Sequence, residues 1–406
     1  MSRPVPPRII AFLQLDIEYG RGILQGIARY FQQHPEITVL KFMRPAAYRR
    51  EAILRLAPDG IIAQISSQED ERVLSLLGVP IVNVSGILRH PALTTVNSDD
   101  MGVGQLALSH FHGRNLRHFA YVGDRTHAAA KLRWQGFQAA ARRLGTPTVP
   151  RYFLPHEESD SPYPERLQRG LVKWLRQLPH PIGVLCFTDR VAIEVAEACA
   201  RARLRVPEQV AILGTGNDAS RLDFAHVEVS SIQLNTTRIG HLAAETLHQM
   251  IQQPGQPPVE ILVPPQRISI RRSTDRFAVN DELVAGALDH ISAHVGNPVY
   301  VTEIARAAGV SRRSLEMHFR RSLGTSVYAQ VQRIRFERVL ELMTDPAMSL
   351  DAIAYSTGFG GAAAFSTMFR RHFKAAPSVY RQGILLQPPH FPAPGPAAPR
   401  QRRARR

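Results

Sequence analysis

Two similar stretches near the C-terminus constrain this chain most. Residues 301–324 read VTEIARAAGVSRRSLEMHFRRSLG and residues 350–373 read LDAIAYSTGFGGAAAFSTMFRRHF. Each sets an Ile-Ala pair on a first helix (Ile304 and Ala305, Ile353 and Ala354) and a glycine four residues after the Ala (Gly309, Gly358). A hydrophobic residue follows at once (Val310, Phe359), and a phenylalanine (Phe319, Phe369) closes a second helix. The small Ala lets two helices cross closely, glycine supplies the positive φ of a tight turn, and the Phe plugs the joint, which is the order of a helix-turn-helix. A second copy argues against coincidence.

The segment before about residue 275 follows a different rule. IIAFLQL at Ile9–Leu15, ITVLKF, DGIIAQI and PIVNVSG are apolar strand-like runs. Between them lie helical patterns, the first with Ile23, Ile27, Tyr30 and Phe31 on one face. A second such half begins with a helix at Met101–Phe111 and continues through HFAYVG, a helix at Arg133–Leu144, a helix at Leu167–Leu178, GVLCFTD, a helix at Val191–Ala200 and VAILGTG. Strands continuous in Val and Ile and alternating with helices predict parallel sheets covered on both faces, hence a two-lobed α/β domain. Ligands of such folds sit beyond the carboxyl ends of the strands. Polar residues gather there: Asp16, Asn83, Ser85, Asp124, Arg125, Asp189, Arg190, Asn217 and Asp218. Carboxylates, amides and guanidinium groups suit a polyhydroxy ligand, because each hydroxyl can donate to one and accept from another. The same residue types also cap helices and turn loops.

Charge points to a polyanion. The net charge is +16, residues 276–382 carry thirteen basic against nine acidic side chains, and the last 24 residues carry five Arg and no acid. A polyanion such as double-stranded DNA fits that balance, and a merely solvated basic face fits it too. No apolar run approaches the ~18 residues of a membrane span, and no secretion signal is read at the N-terminus. Cys186 and Cys199 lie in an apolar run and an Ala-rich helix and read as buried thiols of a reducing, cytoplasmic compartment. Nothing assembles an enzyme: Gly214–Gly216 is not a full GxGxxG, and neither GxSxG nor a Walker loop occurs. His110, His112 and His118 do not share a helix face, so no metal or cofactor is expected.

The runs YGRGILQGIARY, DGIIA, VPIVNVSG, FTDRVAIEVAEAC, VPEQVAILGTGND and ILVPPQRISIRRSTD, together with IAYSTGFGGAAAFSTMFRRHFKAAPSVYR, resemble the xylose-operon regulators. Those are bacterial transcription activators with a LacI/GalR-like periplasmic-binding-protein domain ahead of an AraC-type DNA-binding domain. The resemblance spans Ile9 to Arg381. It implies a receptor over residues 8–274 and a DNA-binding domain over 275–382, while residues 383–406, rich in Pro, Ala and Arg without periodicity, read as a disordered basic tail. The tail serves either non-specific DNA affinity or solubility. It further implies a homodimer, contact with RNA polymerase and a sugar effector, D-xylose first among candidates. Asp189 would bind sugar hydroxyls, Arg133 would hold one as in LacI-like folds, and Arg21, Asp16 and Asn217 complete the candidate set. Where the family carries an acid this chain has Gly216; losing one charge-assisted bond costs ~2 kcal/mol, unless Asn217 or Asp218 compensates. A degenerate cleft that answers to no sugar is the alternative.

On the DNA side, Ser311 is expected to cap the first recognition helix, with Arg312, Arg313, Glu316 and Met317 near the bases and Arg320 on phosphate. In the second unit Ala362, Ala363 and Thr367 offer little hydrogen bonding, so Arg370 and Arg371 are expected to contribute phosphate contacts while the first unit supplies most readout. A long helix, Val327–Met343, is expected to join the two units rigidly. Lys374 stands where the family usually has glycine, and a local adjustment with an intact fold is expected there.

Overall fold

In the computed structural model the described residues are 6–45, 48–88, 92–146, 148–154, 165–275, 281–297, 299–343 and 348–386. The first lobe begins with β1 (Arg8–Leu13), α1 (Glu18–Phe31), β2 (Thr38–Met43), α2 (Arg50–Leu54), β3 (Gly60–Ala63), α3 (Gln68–Ser75), β4 (Ile81–Asn83) and β5 (Thr94–Ser98). The chain then crosses over. The second lobe holds α4 (Asp100–Gly113), β6 (His118–Asp124), α5 (Ala128–Arg143), β7 (Arg151–Leu154), α6 (Glu165–Gln177), β8 (Ile182–Cys186), α7 (Asp189–Ala202), β9 (Val210–Thr215), α8 (Ala219–Leu222) and β10 (Ser230–Gln233). Next α9 (Thr236–Gln252) and β11 (Glu260–Val263) return to the first lobe, and β12 (Arg267–Ser269) crosses back to the second.

The sheet orders are β11-β5-β4-β3-β1-β2 and β12-β10-β9-β8-β6-β7. All recorded pairings are parallel except β10 with β12. Alternate residues of β1 fill opposite cores: Ile9, Ala11 and Leu13 pack under α1 and α9, while Ile10 and Phe12 face α2 and α3. The second sheet is likewise covered on both faces, by α4 and α5 on one side and α6 and α7 on the other. Cys186 and Cys199 are free and buried, and burial pushes the Cys199 thiol up to about 12.

The sequence reading divides the halves near residue 100 and does not see that α9 and β11 rejoin the first lobe. Strands β5 and β7 also escape it, because TTVNS and RYFL lack a continuous aliphatic run. The helix expected at Arg133 starts at Ala128, which puts Arg133 in its second turn.

The C-terminal domain has α10 (Glu282–Ala293), α11 (Val301–Ala307), α12 (Arg312–Leu323), α13 (Val327–Met343), α14 (Leu350–Ser356), α15 (Ala362–Phe373) and α16 (Pro377–Leu386). Two cores form. Leu288, Ile304, Leu315 and Phe319 belong to the first, and Ile353, Phe359, Phe365 and Phe369 to the second. Helix α13 supplies both, with Val327, Val331 and Ile334 in one and Phe336, Val339 and Met343 in the other. A single helix cored at both ends is the rigid connector expected from sequence. Lys374 takes the left-handed conformation itself, at φ 59°, where the equivalent end of α12 uses Gly324 at φ 69°. Helix α16 runs to Leu386, four residues into the stretch expected as tail; residues 387–406 lie outside the described residues, as do 276–280 between the two domains.

Candidate functional site

The facing loops of the two lobes form a cleft whose polar groups hold one another. Asp218, behind β9, is the carboxylate that spans the lobes: it accepts from Glu18 N at 3.3 Å and from Arg21 Nη2 at 3.2 Å, both on α1. Arg21 also pairs with Glu18 at 3.1 Å and donates to the Leu15 carbonyl at 3.3 Å. Deeper in, Tyr19 Oη donates to Asn97 Oδ1 at 2.7 Å, and burial raises the tyrosine pKa so that the phenol stays protonated.

Arg133 sits in the floor of the second lobe. Its Nε donates to Asp100 Oδ1 at 2.7 Å, its Nη1 donates to the Phe187 carbonyl at 2.5 Å, and its guanidinium lies 4.8 Å from the Phe187 ring. Burial raises the Asp100 carboxyl pKa against the pull of Arg133 and a hydrogen bond from Ser98. His127 adds its ring 5.3 Å from that of Phe187. Its neighbour Asp124 is pushed up by burial, but hydrogen bonds from His127 and Thr126 outweigh this and hold the carboxyl below the usual range.

Asp189 opens α7 at the end of β8 and is 2% exposed. Its oxygens accept from Ser231 Oγ at 2.5 Å and from Asp218 N at 2.8 Å, so it organises the loop behind β9; burial is the main reason its pKa is raised. Gly216 in that loop has φ 127°, and a Cβ there would stand 3.2 Å from Asp189 Oδ2. The loop is therefore built for glycine, and the acid expected at this position would be strained at this backbone conformation. Of the two residues offered as substitutes, Asp218 holds the lobe-spanning position, while Asn217, at φ 57°, accepts from Arg271 Nη2 at 2.7 Å. Asp16 is exposed on the loop after β1 and accepts one long bond from Gln14 at 3.5 Å.

The structure thus gathers Arg21, Asp189 and Asn217 around Asp218, places Arg133 in the floor and leaves Asp16 at the rim. Sequence reasoning missed Tyr19, Asn97, Asp100, Phe187 and Arg271. The readable signal for the middle three was position, since Asn97 lies near the end of β5, Asp100 begins the helix after it and Phe187 follows β8 directly.

The second surface belongs to the paired helices. In α12, Ser311 caps the helix by accepting from Ser314 N at 3.1 Å, and Arg312, Arg313 and Arg320 are exposed beside Met317 at 61%. Glu316 departs from this face: it is half-buried and its Oε2 is enclosed. Asp281 caps α10 and ties α12 to it, accepting from Val284 N at 3.3 Å and bonding His318 at 2.6 Å and Ser322 at 3.3 Å. In α15, Ala362, Ala363, Thr367, Arg370 and Arg371 are all exposed, and the Thr367 hydroxyl is turned inward to the Ala363 carbonyl at 3.0 Å. The apolar half of each helix, Leu315 with Phe319 and Phe365 with Phe369, is buried. Two cationic helix faces stand on one connector.

A family model described as a periplasmic binding protein-like domain matches residues 108–274, and one described as a helix-turn-helix domain matches residues 304–383. The chain is 24% identical to the xylose operon regulatory protein of Escherichia coli K12 over 92% of its own length and 96% of that protein. It is also 24% identical to the protein of that name from Haemophilus influenzae, over 89% of this chain and 95% of the relative. Among solved structures, that of the xylose-binding transcription activator xylR covers 92% of this chain and 97% of its own, at 24% identity and a TM-score of 0.59. A LacI family transcriptional regulator from Enterococcus faecium with bound ribose covers 66% of this chain and 98% of its own, at 19% identity and a TM-score of 0.52.

Proposed function

We propose that this chain, similar to the xylose operon regulators along 92% of its length, is a transcription regulator that reads duplex DNA under the control of a small sugar. The observation that carries the reading is the union in one chain of a two-lobed receptor fold and two helix-turn-helix units cored on one helix. Residues 8–274 would hold the sugar and residues 275–382 the DNA. D-xylose is the leading effector, because the relatives that match both domains are named for it.

Arg21 on α1 and Arg133 and Asp189 on α5 and α7 would supply polar groups from both lobes to a hydroxylated ring between them, Asp189 by exchanging its present bonds to Ser231 and Asp218 N for sugar hydroxyls. Sugar that bound the closed, Arg21–Asp218-paired arrangement more tightly than an open one would shift the population toward closure. In the DNA-reading half, α12 carries the arginines suited to guanine edges and α15 the arginines suited to phosphates, with small side chains against thymine methyls. A homodimer on repeated half-sites, activation through RNA polymerase and a cytoplasmic location complete the proposal.

The competing reading is a DNA-binding regulator whose cleft answers to no sugar. Gly216 and the inward bonding of Asp189 favour it. Calorimetric titration of the full chain with pentoses and hexoses, repeated with its DNA site present, separates the two. Saturable binding of one sugar, altered when DNA is present, supports the receptor; a flat response to every sugar with intact DNA binding sinks it.

A further inference from the structure

We infer that α4 couples the cleft to the DNA-reading domain, and that its C-terminal end forms with α13 an intramolecular interface through which the sugar acts. The inference rests on the sugar-responsive reading above. Helix α4 starts where the chain first crosses between lobes, capped by Asp99, which accepts from Gly102 N at 2.9 Å. In its first turn Asp100 grips Arg133, and Arg133 grips the Phe187 carbonyl of the cleft floor. From there the 14 residues of the helix extend about 21 Å at the usual rise per residue.

Along that length α4 is fastened to α5. A Cβ on Gly104 would come within 2.2 Å of the Arg133 carbonyl oxygen, and one on Gly136 within 2.1 Å of the Met101 carbonyl oxygen, so the two backbones touch and must move together.

At its far end α4 meets two things at once. His110 Nε2 and Thr274 Oγ1 lie 2.9 Å apart, and the Arg114 guanidinium donates to the Thr274 carbonyl and lies 3.0 Å from His110 Nδ1. Thr274 is fully buried, bonded also to Ser230 at 2.7 Å, and it is the last residue but one before the link to the second domain. Beside it, the Arg333–Glu337 pair of α13, closed at 3.2 Å, lies against Gly113: a Cβ there would stand 3.4 Å from Arg333 Nη2 and 3.7 Å from Glu337 Oε1.

A purely anchoring role would account for His110, Arg114 and Thr274. It does not account for an ion pair of the other domain seated on the last residue of α4, on the one helix that fills both helix-turn-helix cores. One rigid rod therefore touches the cleft at one end and, at the other, the element that sets both recognition helices.

The test uses the full chain, its DNA site and D-xylose as the probe. DNA affinity is measured by fluorescence anisotropy with and without saturating D-xylose, for wild type, Glu337→Gln and Gly113→Leu. The expected result is a wild-type affinity ratio well away from one, which falls to within twofold of one in both variants while D-xylose binding without DNA stays within twofold of wild type. Glu337→Gln alters charge at a partly exposed position, so it reports even if Gly113→Leu fails to fold. A wild-type ratio retained in Glu337→Gln, with or without a lower melting temperature, overturns the inference and leaves the regulator reading standing. A wild-type ratio of one with D-xylose and with every other sugar of the titration panel overturns both.

Discussion

Replacing Arg133 with Met distinguishes a structural pair from a ligand-only arginine. The Arg133 and Asp100 side chains are 6% and 4% exposed and meet at 2.7 Å, so truncation leaves a carboxylate enclosed without its counter-charge. Breaking such a pair by removing one partner costs about 3–5 kcal/mol. The charge-assisted bond to the Phe187 carbonyl is lost in the same step and is part of that sum. At ~2–4 °C per kcal/mol for a domain of this size, the receptor transition should fall by roughly 10 °C. Adding Asp100→Asn removes the stranded charge and should recover at least about 2 kcal/mol, a coupling that a double-mutant cycle reads directly. The pH dependence has a definite sign. The folded-state pKa of Asp100 is already raised by burial and rises further without Arg133; a carboxyl of this kind binds more protons folded than unfolded, so the deficit of Arg133→Met narrows as pH falls toward 5. Scanning calorimetry of the four proteins at pH 7.5 and 5.5 supplies the numbers. A single-variant cost below about 1 kcal/mol, or strict additivity in the cycle, would refute the reasoning.

Three further outcomes are expected. Lys374→Gly should stabilise the C-terminal transition by about 0.5–1 kcal/mol, since glycine adopts φ 59° without the penalty a side chain incurs; a neutral or destabilising effect in urea melts counts against it. His110 is held well below its ordinary pKa by burial, then by Arg114 and Arg333, so the unfolded state takes up its proton first. Stability should accordingly drop below about pH 6.5, by up to ~1.4 kcal/mol per pH unit; His110→Gln should flatten that slope, and an unchanged slope argues against a neutral buried imidazole. In binding-site selection Arg312→Ala or Arg313→Ala should cost ~1–3 kcal/mol and relax preference at one base. Arg370→Ala should instead weaken all sequences alike and lower the salt slope by about 1, and equally sharp base preference under both helices would contradict this division.

The elements legible in the sequence are those whose signal is local. Ile-Ala, Gly and Phe at fixed offsets specify a helix pair wherever they occur, and the connector expected at Val327–Met343 has those bounds. The lobe exchange was not legible, because the same amphipathic helix and short strand suit either sheet. What sends α9 home is a surface match rather than a pattern: Gly22, Gly26 and Gly240 bring its backbone against α1, with Cβ positions about 2.0 Å from atoms of the opposite helix.

The cleft shows the same limit at the level of single side chains. The rule that ligands gather at strand ends points to the loops that face each other across the two lobes, since backbone direction alone decides where those loops lie. It could not say which polar groups face solvent and which satisfy each other. Asp189 and Asp218 are both acids at the carboxyl end of the second sheet, yet one is turned to Ser231 and the other to α1 across the cleft. Glycine at 216 decides between those roles: its φ of 127° sets the backbone from which Asp218 N donates to Asp189. Glycine at 216 is thus the condition for a different bridging carboxylate: in the calorimetric titration Asp218→Asn should weaken any sugar binding, and Gly216→Asp, which strains the backbone that seats Asp218, should weaken it at least as much, so an unchanged affinity in Gly216→Asp would refute the reasoning.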